Sequence, residues 1–200
     1  MNENIIDTRY VKFSLGGMIF EYDEVKNQKN IQKHGISLKS AARVFWDYDR
    51  IEFYDEENSV TEDRFNTIGD FSVGSLELNV YKQETTSSDS MEELSDNGEV
   101  VFVVYSERFQ VSENGMKTDV TRLISARYAT SFEGGFIMVN VNEITPDLAK
   151  ELAFSEEELK ELKRAKTKEI VFDEDCPETT PERALKFKRV NPPRERKKAL

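Results

Sequence analysis

The sequence predicts an α+β fold in which a small antiparallel β-sheet packs against two N-terminal helices and an α-helical C-terminal extension follows. Three observations carry this. Apolar residues recur at helical spacing only early in the chain; residues 50–130 break into runs rich in β-branched and aromatic side chains; and helix-capping signals return after Thr130.

Phe20 to Tyr22 reads as a short strand, after which Asp23 caps a helix that stops at Gly35. Ser37 caps a second helix whose apolar face is Leu38, Ala41, Ala42 and Phe45, ending near Trp46. RIEFYDEE, DRFNTIGDFS, EVVFVVYSERFQV and TDVTRLISARYAT then read as an antiparallel meander, bounded by Gly, Asn or Ser. VVFVVY is apolar throughout, which places it at the sheet centre with both faces covered. VGSLELNVYKQ extends or pairs with the preceding strand, and the acidic stretch 85–99 reads as a mobile loop. FEGGFIMVNV is a further strand or a connector. Helices follow at TPDLAKEL, with Pro146 in the first turn, and at SEEELKELKRAKTK, where Ser155 and Glu158 form a capping box; a last helix starts near Thr180. The chain divides into an N-terminal extension (1–17), a sheet domain (18–135) with an acidic insertion (84–99), and a mainly helical C-terminal extension (136–200).

The 200 residues are 38% hydrophobic and 34% charged, a composition of globular domains. No apolar run approaches the roughly 20 residues that cross a bilayer, and MNENIIDTRY lacks a basic region followed by an apolar one. A cytoplasmic protein without membrane contact is expected. The single cysteine, Cys176, excludes an intrachain disulfide and a cysteine-held zinc, and on its polar turn it reads as incidental. The formal net charge of −11 argues against a broad basic face for nucleic acid. Residues 143–200 are balanced, with fourteen acids and fourteen bases, so the excess lies in residues 1–142. A nucleic-acid site there has to be a local cluster of cations.

Four segments in order carry a resemblance to a known family. FEYDEVKNQKNIQKHGISLKSAARVF, TEDRFNTIG, VVYSER and TRLISAR resemble the opening strand and paired helices, the Glu-x-Arg strand, the central strand and the closing strand of BrnT-type toxins, over residues 18–130. The resemblance implies a RelE-like fold, and the activity of an endoribonuclease toxin from a type II toxin–antitoxin pair that blocks translation. It also implies an RNA substrate, a cognate antitoxin, operator DNA met only through that antitoxin, and no cofactor or metal. The family's polar positions match Lys26, Asn30, Lys33, His34, Glu62, Arg64, Tyr105, Arg108, Arg122, Ser125 and Arg127.

Metal-free RNA cleavage needs a base for the ribose 2′-hydroxyl, cations for the phosphorane and an acid for the leaving oxygen. His34, Glu62, Arg64 and Arg127 are the expected catalytic residues: Glu62 or His34 as base, and Arg64 with Arg127 as a phosphate clamp. Lys26, Lys33, Tyr105 and Arg108 are expected to bind RNA, with Lys33 or Tyr105 in support of catalysis. Each has an ordinary structural reading too. His34 before Gly35 suits a helix C-terminus; Glu62 and Arg64, two apart on a strand, share a face where an ion pair is commonplace; Tyr105 on a central strand suits a core. Lys26 and Lys33 share one helix face, which is equally a solvated one. Arg122 and Arg127, five apart, point to opposite faces of a regular strand, and Arg127 is the one assigned to the site.

The chain departs from the family in three places: the acidic insertion, SFEGGFIMVNV where a closing helix is usual, and the tail. DEDCPETTPERALKFKRVNPPRE faintly resembles the acidic, helix-forming region of the short antitoxins. An acidic tail tethered beside a Lys/Arg cluster is present at roughly millimolar effective concentration, so inhibition in cis is an expectation. The other reading is a catalytically inactive binding module that docks an antitoxin or its own tail.

Overall fold

The computed structural model describes residues 10–72, 99–112, 114–136 and 145–192. Strands β1 (Tyr10–Leu15) and β2 (Met18–Asp23) form an antiparallel hairpin across Gly16 and Gly17. Both glycines have positive φ, 54° and 81°, as a two-residue hairpin turn demands. β1 lies within the segment set apart from the sequence as an N-terminal extension, and it forms one edge of the sheet.

Helix α1 (Glu24–His34) begins where the Asp23 carboxylate accepts from the N–H groups of Val25 and Lys26, at 2.8 and 3.1 Å. It ends at Gly35, whose φ of 77° is the left-handed cap. The Ser37 side chain caps α2 (Leu38–Ala41), which passes into a 3-10 turn over Ala42–Trp46. The predicted second helix is therefore only partly α-helical. The turn's exit is pinned by Asp47, whose carboxylate accepts from the backbone N–H groups of Asp49 and Asp70 at 2.9 and 2.8 Å.

Strands β3 (Ile51–Tyr54), β4 (Phe65–Asp70), β5 (Val100–Val111) and β6 (Lys117–Tyr128) follow, then α3 (Ser131–Gly134), α4 (Pro146–Leu152), α5 (Glu156–Ala165), α6 (Pro181–Ala184) and β7 (Lys188–Arg189). One seven-stranded sheet runs in the order β1-β2-β6-β5-β4-β3-β7. Its neighbours are antiparallel except β2 and β6, which are parallel. The four-strand antiparallel meander forms as β3 to β6, but the sheet as a whole is not purely antiparallel: α1 and α2 carry the chain from β2 to β3, and the hairpins back through β4 and β5 bring β6 beside β2 in the same direction.

The central run VVFVVY divides between two apolar clusters, as a strand covered on both faces must. Val101, Val103 and Tyr105 join Ile36, Leu38, Ala41, Leu152 and Leu162, so α2, α4 and α5 cover one face. Phe102 and Val104 join Ile51, Ile68, Ile124 and Cys176, with Phe187 packed alongside, so the C-terminal segment covers the other. A bulge interrupts the β5–β6 ladder: Val104 faces Ser125 and Tyr105 faces Leu123, which leaves Ile124 extra. Arg122 and Arg127 therefore oppose Ser106 and Phe102 and share one face, contrary to the regular-strand expectation.

The C-terminal extension is stitched to both helices and sheet. The Ser155/Glu158 capping box opens α5, Lys168 Nζ donates to the last-turn carbonyls of Ile31 and Gln32 at 3.2 and 3.0 Å, and β7 pairs with β3. Among the described residues no helix is long and apolar enough to cross a membrane. The strand expected at 73–83, nearly all of the acidic insertion, residues 137–144 and the basic end at 193–200 lie outside the described residues.

Candidate functional site

β2 pairs with β6 only as far as Leu123, and α1 takes over the exposed strand edge beyond it. Asn30 makes that junction. Its side chain accepts from Ala126 N–H and from Ser125 Oγ, both at 2.9 Å, and donates to Ala126 C=O and Ile36 C=O, both at 2.8 Å. A buried amide with both ends satisfied fixes how α1 sits against β6.

The cations so positioned converge on one acidic turn. Asp175 bridges Lys26 Nζ at 3.1 Å and Arg64 Nη1 at 3.2 Å. Asp173 pairs with Lys33 Nζ at 2.5 Å. Arg127 Nη2 donates to the carbonyl of Pro177 at 3.0 Å. His34 is 5% exposed and neither ring nitrogen has a hydrogen-bond partner among the described residues. Burial lowers its pKa below the ordinary histidine value; Asp173 opposes that shift, while Arg127, Lys33 and Lys168 add to it. Burial alone would raise the Asp173 carboxyl, but Lys33 and the Cys176 N–H together outweigh it and hold it below the usual range.

Arg127 is enclosed. At 1% exposure it forms a two-pronged ion pair with Glu133, 2.7 and 2.8 Å long, and lies over the rings of Phe102 and Phe172 at 4.4 and 5.0 Å. Burial would lower the guanidinium pKa, yet Glu133 holds it above its ordinary value. Glu133 also accepts from the Thr179 hydroxyl of the tail. Sequence reasoning missed Glu133: the signal present, a capping box from Thr130, identifies a helix start and not a partner for an arginine six residues upstream.

Glu62 and Arg64 lie in the loop before β4, not on a strand, and turn to different partners. Glu62 Oε2 accepts from Arg108 at 2.8 Å, Arg122 at 3.0 Å and Ser106 Oγ at 3.0 Å. Burial pushes this carboxyl up, but the two arginines and the serine outweigh it and leave it below the usual range. Arg108 also pairs with Glu21 at 3.1 Å. Tyr105 is on the helical face, against Phe65 and Phe45, and donates to Glu52 at 2.7 Å; burial and Glu52 raise its pKa. Lys26, Lys33, His34, Arg64 and Arg127 are thus brought together, Glu62 and Arg108 form a second group, and Tyr105 is remote.

Cys176 is not the incidental turn residue expected: it is fully buried in the apolar cluster under the tail, and burial pushes its thiol up to about 12. No three His, Cys, Asp or Glu side chains group to hold a metal among the described residues. Chemically, the first cluster is a receptor for closely spaced anionic groups with an unpaired imidazole at its side.

Residues 22–88 match the family model described as the ribonuclease toxin, BrnT, of type II toxin-antitoxin systems. The match takes in Lys26, Lys33, His34, Glu62 and Arg64 and stops short of β5, β6 and the tail. No curated protein matches the chain.

Proposed function

We propose that this chain is an endoribonuclease toxin of a type II toxin–antitoxin system, acting in the cytoplasm on RNA through metal-independent attack by the ribose 2′-hydroxyl. The observation that carries the reading is the meeting of Lys26 and Arg64, from α1 and from the loop before β4, on a single carboxylate, with Lys33 alongside. Such a cluster suits a phosphodiester: Arg64 offers a planar fork to two phosphate oxygens, and the lysines offer mobile point charges. His34, neutral and unpaired, is the group able to take or give a proton there; Glu62 is the reserve base once its arginines turn to phosphate. Arg127 completes the clamp when Pro177 leaves it. The partners are an RNA substrate and a cognate antitoxin, and operator DNA is reached only through that antitoxin.

A specific observation also favours the second reading, an inactive module that docks an antitoxin or its own tail: both terminal nitrogens of Arg127 are engaged by Glu133 and the tail. Cleavage of a labelled single-stranded RNA in EDTA separates the two. The proposal expects products ending in 2′,3′-cyclic phosphate and a loss of about a hundredfold in rate for Arg64→Gln, the scale for removing one donor to a transition-state oxyanion. Equal cutting by wild type and variant, or 3′-hydroxyl ends, overturns it.

A further inference from the structure

We propose that residues 172–179, FDEDCPET, are a built-in competitor of RNA, with the carboxylates of Asp173 and Asp175 sitting where two phosphates of the substrate backbone bind. The assignment of RNA as the displaced ligand rests on the ribonuclease reading; the strap itself rests on its own contacts.

The segment is built to present its acids. Asp173 and Cys176 close a turn through two backbone hydrogen bonds, 3.3 and 3.2 Å long, and Cys176 N–H also donates to Asp173 Oδ1 at 2.8 Å. The turn is moored from beneath by the Cys176 side chain in the apolar cluster and by Thr179 on Glu133. With those anchors in place, Asp173 meets Lys33 while Asp175 meets Lys26 and Arg64, cations from separate elements that have no other ion-pair partner among the described residues. Pro177 adds its carbonyl to Arg127, a neutral acceptor on a guanidinium already neutralised by Glu133. The turn thus sets two carboxylates against the cations that the phosphates of a polyanion would meet.

The grip is suited to release. The three ion pairs leave Lys33 at 49%, Lys26 at 37% and Arg64 at 19% side-chain exposure, so the two lysine pairs are weak and screened by salt. What they gain is proximity: a tethered acid competes at an effective concentration on the order of millimolar, and an incoming RNA binds only the fraction of molecules with the strap lifted. RNA in turn gains from releasing its counterions, which a two-carboxylate turn does not match.

The test titrates a fluorescent single-stranded 2′-O-methyl RNA oligonucleotide, which binds without being cut, into three full-length proteins. Asp173→Asn with Asp175→Asn removes both charges at constant shape, whereas Glu174→Gln removes one charge from an exposed side chain in the same turn that has no hydrogen bond or ion pair among the described residues. The double variant is expected to bind about tenfold tighter than wild type and Glu174→Gln within about twofold of it. Asp175→Asn alone, which spares the Asp173 turn bond, is expected to gain about threefold and covers a folding defect in the double variant. Binding by the charge-neutralised variants no tighter than by Glu174→Gln overturns the strap. Cleavage of unmodified RNA is scored separately: tighter binding without cutting keeps the strap and sinks the ribonuclease reading, and cutting with unchanged affinity does the reverse.

Discussion

Replacing Glu133 by Ala is expected to destabilise the protein by about 3–5 kcal/mol, the scale for stranding one member of a buried ion pair. Arg127 and Glu133 are 1% and 0% exposed, and Glu133 supplies both acceptors that neutralise the guanidinium. Removing the acid also strips Thr130 N–H and the Thr179 hydroxyl of their acceptor. The free energy of urea unfolding, compared at equal m-value, reads the effect. Glu133→Gln keeps the shape and is expected to cost less. A loss under about 1 kcal/mol for the alanine variant would mean that water reaches Arg127 at little cost, and that it behaves as a surface cation. The consequence for function is direct: loss of activity in Arg127→Ala reports folding as much as catalysis, so Arg64, with one partly exposed ion-pair partner, is the cleaner probe of the site.

Ending the chain at residue 135 is expected to abolish cooperative folding. The sequence suggested that residues 18–135 stand as a domain, but α4, α5 and the segment between them supply Leu152, Phe154 and Leu162 to the helical-face core. Burial of three such side chains contributes roughly 5–9 kcal/mol at 1.5–3 kcal/mol each, comparable with the whole stability of a typical domain. Arg43 makes the loss worse. This 3%-exposed arginine donates to the carbonyls of Leu152 and Ala153 at 2.5 and 3.1 Å, pairs with Glu158 at 3.3 Å and lies over the Phe154 ring at 4.1 Å. Without the extension it loses its counter-ion, two carbonyl acceptors and the aromatic ring against it at once. Thermal melting by circular dichroism checks this: a cooperative transition within a few degrees of the full chain would show that α4 and α5 are dispensable.

Local chemistry made much of the fold legible. Asp23, Gly35, Ser37 and the Ser155/Glu158 box act on neighbours within a turn, and each does what its spacing implies. VVFVVY announces a two-sided burial that any central strand would need. What escaped is non-local. The bulge at Ile124 reverses the facing of Arg127 relative to Arg122, and nothing in TRLISAR marks which residue is extra. The parallel pairing of β2 with β6 and the antiparallel pairing of β7 with β3 depend on where distant segments return. Cys176 looked solvated because its neighbours in sequence are polar, while its neighbours in space are Phe102, Val104 and Ile124. In the site, the family resemblance pointed to Lys26, Lys33, His34 and Arg64, which the fold brings together. It could not separate Glu62 into a different group, because an acid two residues from an arginine can turn either way once both leave the strand. Charge complementarity pointed to a tail that docks on cations, without naming Asp173 and Asp175 as the residues that do so.

Hydrogen–deuterium exchange on the full-length protein, with and without a single-stranded 2′-O-methyl RNA, tests most directly the claim that RNA and the acidic turn compete for one cluster of cations. Amides of residues 173–176 are expected to exchange faster when the oligonucleotide is bound, while those of α1 around Lys26 and Lys33 become slower. Saturating oligonucleotide that leaves 173–176 as protected as in the free protein would place RNA elsewhere and contradict the account.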